Sequence, residues 1–137
     1  MRIMGLDVGQ KRIGIALSDP MGWTAQGHSV LQRTAQNDMA ALKALCIENE
    51  VELIVVGWPI NMNGTEGPKA VEIKQYAREL GEYIGLPIEL WDERLTTVTA
   101  EKVLIQADVS RRKRRQVIDK MAAGFILQSY LDSHSGK

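Results

Sequence analysis

RIMGLDVGQKRIGIALSD, residues 2–19, decides how the rest of this chain is read. Two runs rich in aliphatic side chains, 2–8 and 12–18, are separated only by Gly9, Gln10 and Lys11. That spacing predicts a β-hairpin. One residue breaks the apolar pattern. Strand alternation puts Asp7 on a face with Ile3 and Gly5, opposite Met4, Leu6 and Val8. An ionised carboxylate in a buried strand is costly unless it is paired or bound to a metal. Residues 5–9 alone leave two readings open. Asp7 is either a ligand for something that approaches between Gly5 and Gly9, or a residue that caps the hairpin turn or pairs with an arginine such as Arg12.

Working outward, Ala25 to Leu31 predicts a third extended stretch, completing an antiparallel meander. The period then changes. Met39, Leu42, Leu45 and Cys46 recur at helical spacing, which predicts a helix over 36–49. Leu53–Val56 is a continuous aliphatic run ending at Gly57, the pattern of a parallel strand covered on both faces. Ala70, Ile73, Ala77, Leu80 and Ile84 form a second helical stripe, with Gly85 as its stop and Pro87 forbidding continuation. Residues 87–92 predict an edge strand, and 96–107 and 115–131 two further helices. Asn61–Gly67 reads as a polar loop and Ser110–Arg115 as a charged connector. The expectation is an α/β fold in one domain, 1–137: a mixed five-stranded sheet, antiparallel at first and then βαβαβ, flanked by helices.

With 17 basic and 17 acidic residues the net charge is zero, so bulk charge gives no reason to suspect a nucleic acid. Its distribution does. Between Arg94 and Lys120 eight basic residues, five of them in the run Arg111–Arg115, face Glu101, Asp108 and Asp119, which leaves about +5. Glu48 to Glu93 holds ten acids against Lys69, Lys74 and Arg78. Such polarity creates a local field that the total conceals. Cys46 is the only cysteine, which excludes a disulfide framework and a thiolate zinc site. No apolar run approaches membrane-spanning length, so the expected setting is cytoplasmic, without a membrane.

Two other places hold acids that sit oddly in the pattern. Asp92 and Glu93 end a strand, where open α/β sheets bind ligands. They equally suit a solvated strand end before a helix capped by Thr96 or Thr97. Asp119 shares a helix face with Ala122, Ala123 and Ile126, or serves simply as an early-turn acid favoured by the helix dipole. Taken together with Asp7, these acids can converge at one edge of the sheet. Their mutual repulsion then calls for cations between them. All-oxygen ligands suit Mg²⁺ or Mn²⁺, and two such ions can activate a water and stabilise the leaving oxygen of a phosphodiester. The basic run before Asp119 is placed to hold phosphates.

GLDVGQKRIGIALSD (5–19), VVGWPINMNGTEG (55–67), WDERLTT (91–97) and RRKRRQVIDKMAAGFILQSYLD (111–132) together resemble the YqgF family, also called RuvX, of the RNase H-like superfamily. The resemblance covers essentially the whole chain, with Trp58 a departure where an aliphatic residue is expected. It implies an RNase H-like fold and a metal-dependent nuclease. Asp7, Glu93 and Asp119 would be the catalytic, metal-binding acids, with Asp7 central between two ions. Asp92, Gly9 and Thr96 would support them, and Arg12, Arg94, Arg111, Arg112 and Lys113 would bind substrate. Members of that family are linked to maturation of the 5′ end of 16S ribosomal RNA, and some resemble Holliday junction resolvases. The implied partners are pre-rRNA or branched DNA, and ribosomal particles. The implied place is bacterial cytoplasm, as a monomer or a homodimer.

Rival classes are a nucleotide-binding phosphotransferase, whose opening hairpin also carries Asp-x-Gly, and a nucleic-acid-binding module without catalysis. Against the first, 137 residues hold only one of the two domains such enzymes close around ATP. Trp23, Trp58 and Trp91 could stack on bases but pack more often than not. Cys46 reads as core, and His28 and His134 as isolated, the latter in a frayed tail.

Overall fold

A computed structural model describes residues 2–34, 37–95 and 111–134, with side chains omitted from the description at 111–118. The expected helix over 96–107, and Thr96 with it, lie outside the described residues. Five strands form one sheet: β1 (Arg2–Val8), β2 (Arg12–Ser18), β3 (Ala25–Gln32), β4 (Val51–Trp58) and β5 (Ile88–Asp92). Their order is β3-β2-β1-β4-β5. The pairs β1–β2 and β2–β3 are antiparallel, whereas β1–β4 and β4–β5 are parallel. The expected mixed sheet, with 88–92 at its edge, is therefore the observed one.

Helices cover both faces, which is why the central strands read as nearly unbroken apolar runs. Against α1 (Asp38–Glu48) and α2 (Pro68–Ile84) pack Met4, Leu6, Val8, Ile13, Ile54 and Val56. Cys46 belongs to this core and is 3% exposed, which settles its role as packing. α2 has proline in its first turn and ends at Gly85, whose φ of 79° and N–H bond to the Gly81 carbonyl (2.8 Å) make a left-handed cap. The opposite face carries α3 (Arg111–His134), with Ala122, Ala123, Ile126 and Leu127 on Ile3, Ala16 and Val55. Odd residues of β1 and even residues of β2 thus turn toward α3.

Two expectations are corrected at α3. The run Arg111–Arg115, read as a connector, is the first part of the helix, which also extends past 131. Arginine and lysine are good helix formers, and the helix continues without a breaker into the apolar stripe that docks it. His134 is not isolated. Its ring stacks on Tyr130 with centroids 4.0 Å apart and lies 5.6 Å from the Trp91 ring centroid. No helix among the described residues is long and apolar enough to cross a membrane.

Candidate active site

The site is built from a row of residues across the sheet. In the β1–β2 ladder Asp7 stands opposite Gly14, and directly opposed residues point to the same face. On its other side β4 pairs Leu6 with Val56, so one further step brings Gly57 beside Asp7. Gly57 in turn pairs with Trp91 of β5, two residues before Glu93. Asp7 therefore has a glycine on each side, and all of them face α3.

Each glycine admits one of the other acids. A side-chain carbon on Gly14 would collide with the main-chain carbonyl of Asp119, so its absence lets α3 descend onto β2. At Gly57 the same carbon would come within 3.4 Å of the Glu93 carboxyl carbon, and it would also meet the end of Ile126. Glu93 opens a single 3₁₀ turn, Glu93–Leu95, that follows β5 directly. A first strand, a strand end and a final helix thus bring Asp7, Glu93 and Asp119 to one end of one face. Gly14 and Gly57 were missed as site residues in the sequence. Their signal was present, since glycine inside a strand marks close approach of another group.

Two acids at this end of the sheet, Asp119 and Asp92, are each paired with an arginine. Arg12 Nε donates to Asp119 Oδ2 at 2.8 Å, with the two side chains 24% and 20% exposed. Arg12, weighed in the sequence as a partner for Asp7, places its guanidinium on Asp119. Asp92 lies in register with Trp58, on the α2 face, and turns away from Glu93. Its carboxylate is gripped by Arg94 through Nε (3.0 and 3.1 Å) and Nη2 (2.8 Å), and it accepts the Arg94 main-chain N–H at 2.9 Å. This side-chain bond to Arg94 holds the Asp92 carboxyl below its usual pKa. Arg94 Nη1 donates to the Met62 carbonyl at 3.1 Å, which ties the 61–67 loop to the end of β5. As placed, Arg94 is a clamp, with all three of its guanidinium nitrogens engaged.

Gly9 closes the hairpin: its N–H donates to the Arg12 carbonyl (2.8 Å), and its carbonyl accepts from Arg33 Nη1 (2.8 Å). Arg33, another residue the sequence did not single out, lies over the Tyr76 ring at 4.9 Å and 3.7 Å from the Asp38 carboxylate. It fixes the turn that follows Asp7 to the helices behind the sheet. For Arg111, Arg112 and Lys113 the helix places the backbone, and their side chains fall outside the description.

Three carboxylates at one sheet end are the donor set that hard divalent cations take. In kind the residues fit such an ion. As arranged they are not yet a cage. Among the described residues, no group of three or more histidine, cysteine, aspartate or glutamate side chains is disposed to hold one ion.

The sequence matches the model of a family described as RuvX, Holliday junction resolvase, over residues 1–133. Relatives named "Putative pre-16S rRNA nuclease" include one from Syntrophomonas wolfei, 60% identical over 98% of this chain and 96% of its own. Another, from Listeria monocytogenes, is 59% identical over 97% of this chain and 99% of its own. Among solved structures, Thermus thermophilus RuvC in complex with a Holliday junction substrate superposes with a TM-score of 0.59 at 12% identity. That match covers 99% and 97% of the two chains. The fowlpox virus Holliday junction resolvase gives 0.53 at 16% identity, over 97% and 99%. The solved structures establish the RNase H-like fold of the resolvases, and the full-length sequence match establishes that this chain belongs to the RuvX (YqgF) family.

Proposed function

We propose that this protein is a divalent-metal-dependent nuclease that hydrolyses phosphodiester bonds of precursor 16S ribosomal RNA at its 5′ end. The observation that carries the reading is the row Gly14–Asp7–Gly57, which brings Asp119 to one side of Asp7 and Glu93 to the other. Full-length relatives bearing the pre-16S nuclease name support the choice of substrate. Asp7, Glu93 and Asp119 would hold Mg²⁺ or Mn²⁺, with Asp7 in the middle and two ions the expected number. Bound there, the ions supply an activated water and stabilise the leaving oxygen. The chain's own contribution is the set of carboxylates at one end of the sheet and positive charge from α3. Arg111, Arg112 and Lys113 enter the helix two turns before Asp119, and their place suits phosphates of the bound strand. A bacterial cytoplasmic enzyme that meets ribosomal particles fits this substrate.

The second reading is resolution of four-way DNA junctions, favoured by the family description and by the shared fold. It requires a homodimer, because a junction presents two symmetry-related strands. One experiment separates the readings. Wild type and Asp7→Asn are incubated with a precursor-rRNA 5′ fragment, single-stranded RNA, duplex DNA and a four-way junction, each with Mg²⁺, Mn²⁺ or EDTA. Cutting of the rRNA fragment by the wild type alone, only with metal, is the expected result. Cutting of the junction instead selects the resolvase, and full activity in Asp7→Asn overturns the site.

A further inference from the structure

Arg12 is held at both ends of its backbone. Its carbonyl accepts the Gly9 N–H, and its strand position pairs with Gln32. Asp119 is held likewise, its carbonyl seated against Gly14. What joins the two residues is a side-chain contact alone: the Arg12 guanidinium, on a stem of rotatable bonds, donates from Nε to Asp119 Oδ2 at 2.8 Å. Both side chains are about four-fifths covered, so solvent screens the pair less than it would on an open surface. An acid in that position needs a positive neighbour, and Arg12 supplies one.

We infer that Arg12 and the divalent cation compete for the same Asp119 carboxylate. Loading the site then exchanges one cation for another, and the released guanidinium turns toward the phosphate that the ions engage. This inference rests on the proposed metal site. It gives Arg12 two successive partners, a carboxylate and then a phosphate, both of which suit a planar donor fork. Side-chain rotation suffices for the exchange, and it leaves the Arg12 hairpin bond and the seat of the Asp119 carbonyl on Gly14 in place. The exchange also keeps Asp119 beside a cation throughout, so loading need not pass through a state in which this partly buried carboxylate lacks a counter-ion.

The test reads metal binding and not turnover. Mn²⁺ is titrated into wild type, Arg12→Ala, Arg12→Gln, Asp7→Asn, Asp119→Asn and the double variant Arg12→Ala/Asp119→Asn, with free Mn²⁺ followed by electron paramagnetic resonance. Circular dichroism checks the fold of each. Removing the competitor should tighten Mn²⁺ binding by about three- to tenfold in both Arg12 variants. In the Asp119→Asn background the Arg12 substitution should change nothing, since the competition has lost its object. Unchanged or weaker binding in both folded Arg12 variants, with Asp7→Asn still impaired, overturns the exchange and leaves the metal site standing. If neither Asp7→Asn nor Asp119→Asn weakens binding, the metal site itself is wrong and the exchange falls with it.

Discussion

Gly14 faces Asp7 across the β1–β2 ladder, and the space a Gly14 side chain would fill is taken by the main-chain carbonyl of Asp119. One missing methyl therefore sets the height of α3 above the sheet and, through it, the distance from Asp119 to Asp7. The same device recurs at Gly57, with a difference. There the neighbours are the ends of side chains, Ile126 and Glu93, and not a backbone.

That difference predicts unequal effects of one substitution. Gly14→Ala must push a helix backbone away, and should cost about 3 kcal/mol by denaturant unfolding and remove most activity. Gly57→Ala can be relieved by an Ile126 rotamer, and should cost about 1 kcal/mol. Equal costs at the two sites would show that α3 is not seated on Gly14.

The fold was legible because its signals are local. Periods of two and of about 3.6, glycine at the hairpin and at the end of α2, and Pro87 fixed the elements and their order. Asp7, Asp92–Glu93 and Asp119 were legible as anomalies, since each interrupts a pattern that burial explains. Pairing was not. That Arg12 sits on Asp119, 107 positions away, depends on how deeply α3 docks, and Gly14 controls that without any charge of its own. The basic run misread as a connector shows the reverse limit. Its charge masked its helix propensity, and only the docking of the following stripe reveals where the helix begins.

The Asp92–Arg94 clamp has a signature in pH. Arg94 holds the Asp92 carboxyl below its usual value, so the folded state binds that proton less readily than the unfolded chain. The contribution to stability is present above the unfolded pKa, near 4, and is lost as pH falls through the lower folded value. Arg94→Ala should bring the Asp92 pKa back toward 4, read from its carboxyl carbon by NMR, and flatten the acid limb of stability. It should also release the 61–67 loop, visible as faster amide exchange at Gly64, whose N–H is bonded to the Asn61 carbonyl. An unmoved Asp92 titration would refute the clamp.

Tyr130 predicts the opposite sign. Its hydroxyl donates to Glu89 Oε2 at 2.9 Å, and burial together with that carboxylate pushes its pKa up to about 12. The folded state keeps this proton longer than the unfolded chain, whose tyrosines ionise near 10. Stability from this group is thus full below about pH 10 and is lost as pH rises toward 12. Tyr130→Phe should cost about 1 kcal/mol at neutral pH and make the decline above pH 10 shallower. Denaturant midpoints across the alkaline range measure both, and an identical decline in the variant would exclude Tyr130 as its source.

The basic start of α3 is the last feature with a measurable consequence, and it separates phosphate contact from mere solubility. Each phosphate neutralised on a single strand contributes about −0.7 to the slope of log affinity against log salt, and about −0.9 on duplex DNA. Arg111→Ala/Arg112→Ala should therefore weaken binding of the preferred nucleic acid and flatten that slope by about 1.4 on a single strand if both residues contact phosphate. Arginine and alanine are both good helix formers, so α3 should keep its helicity by circular dichroism. Mn²⁺ affinity in the absence of nucleic acid should stay the same, because Asp119 lies two turns further along the helix. A weaker affinity with an unchanged salt slope would mean that the run acts through the fold, and a flattened slope with intact Mn²⁺ binding assigns it to the backbone of the substrate.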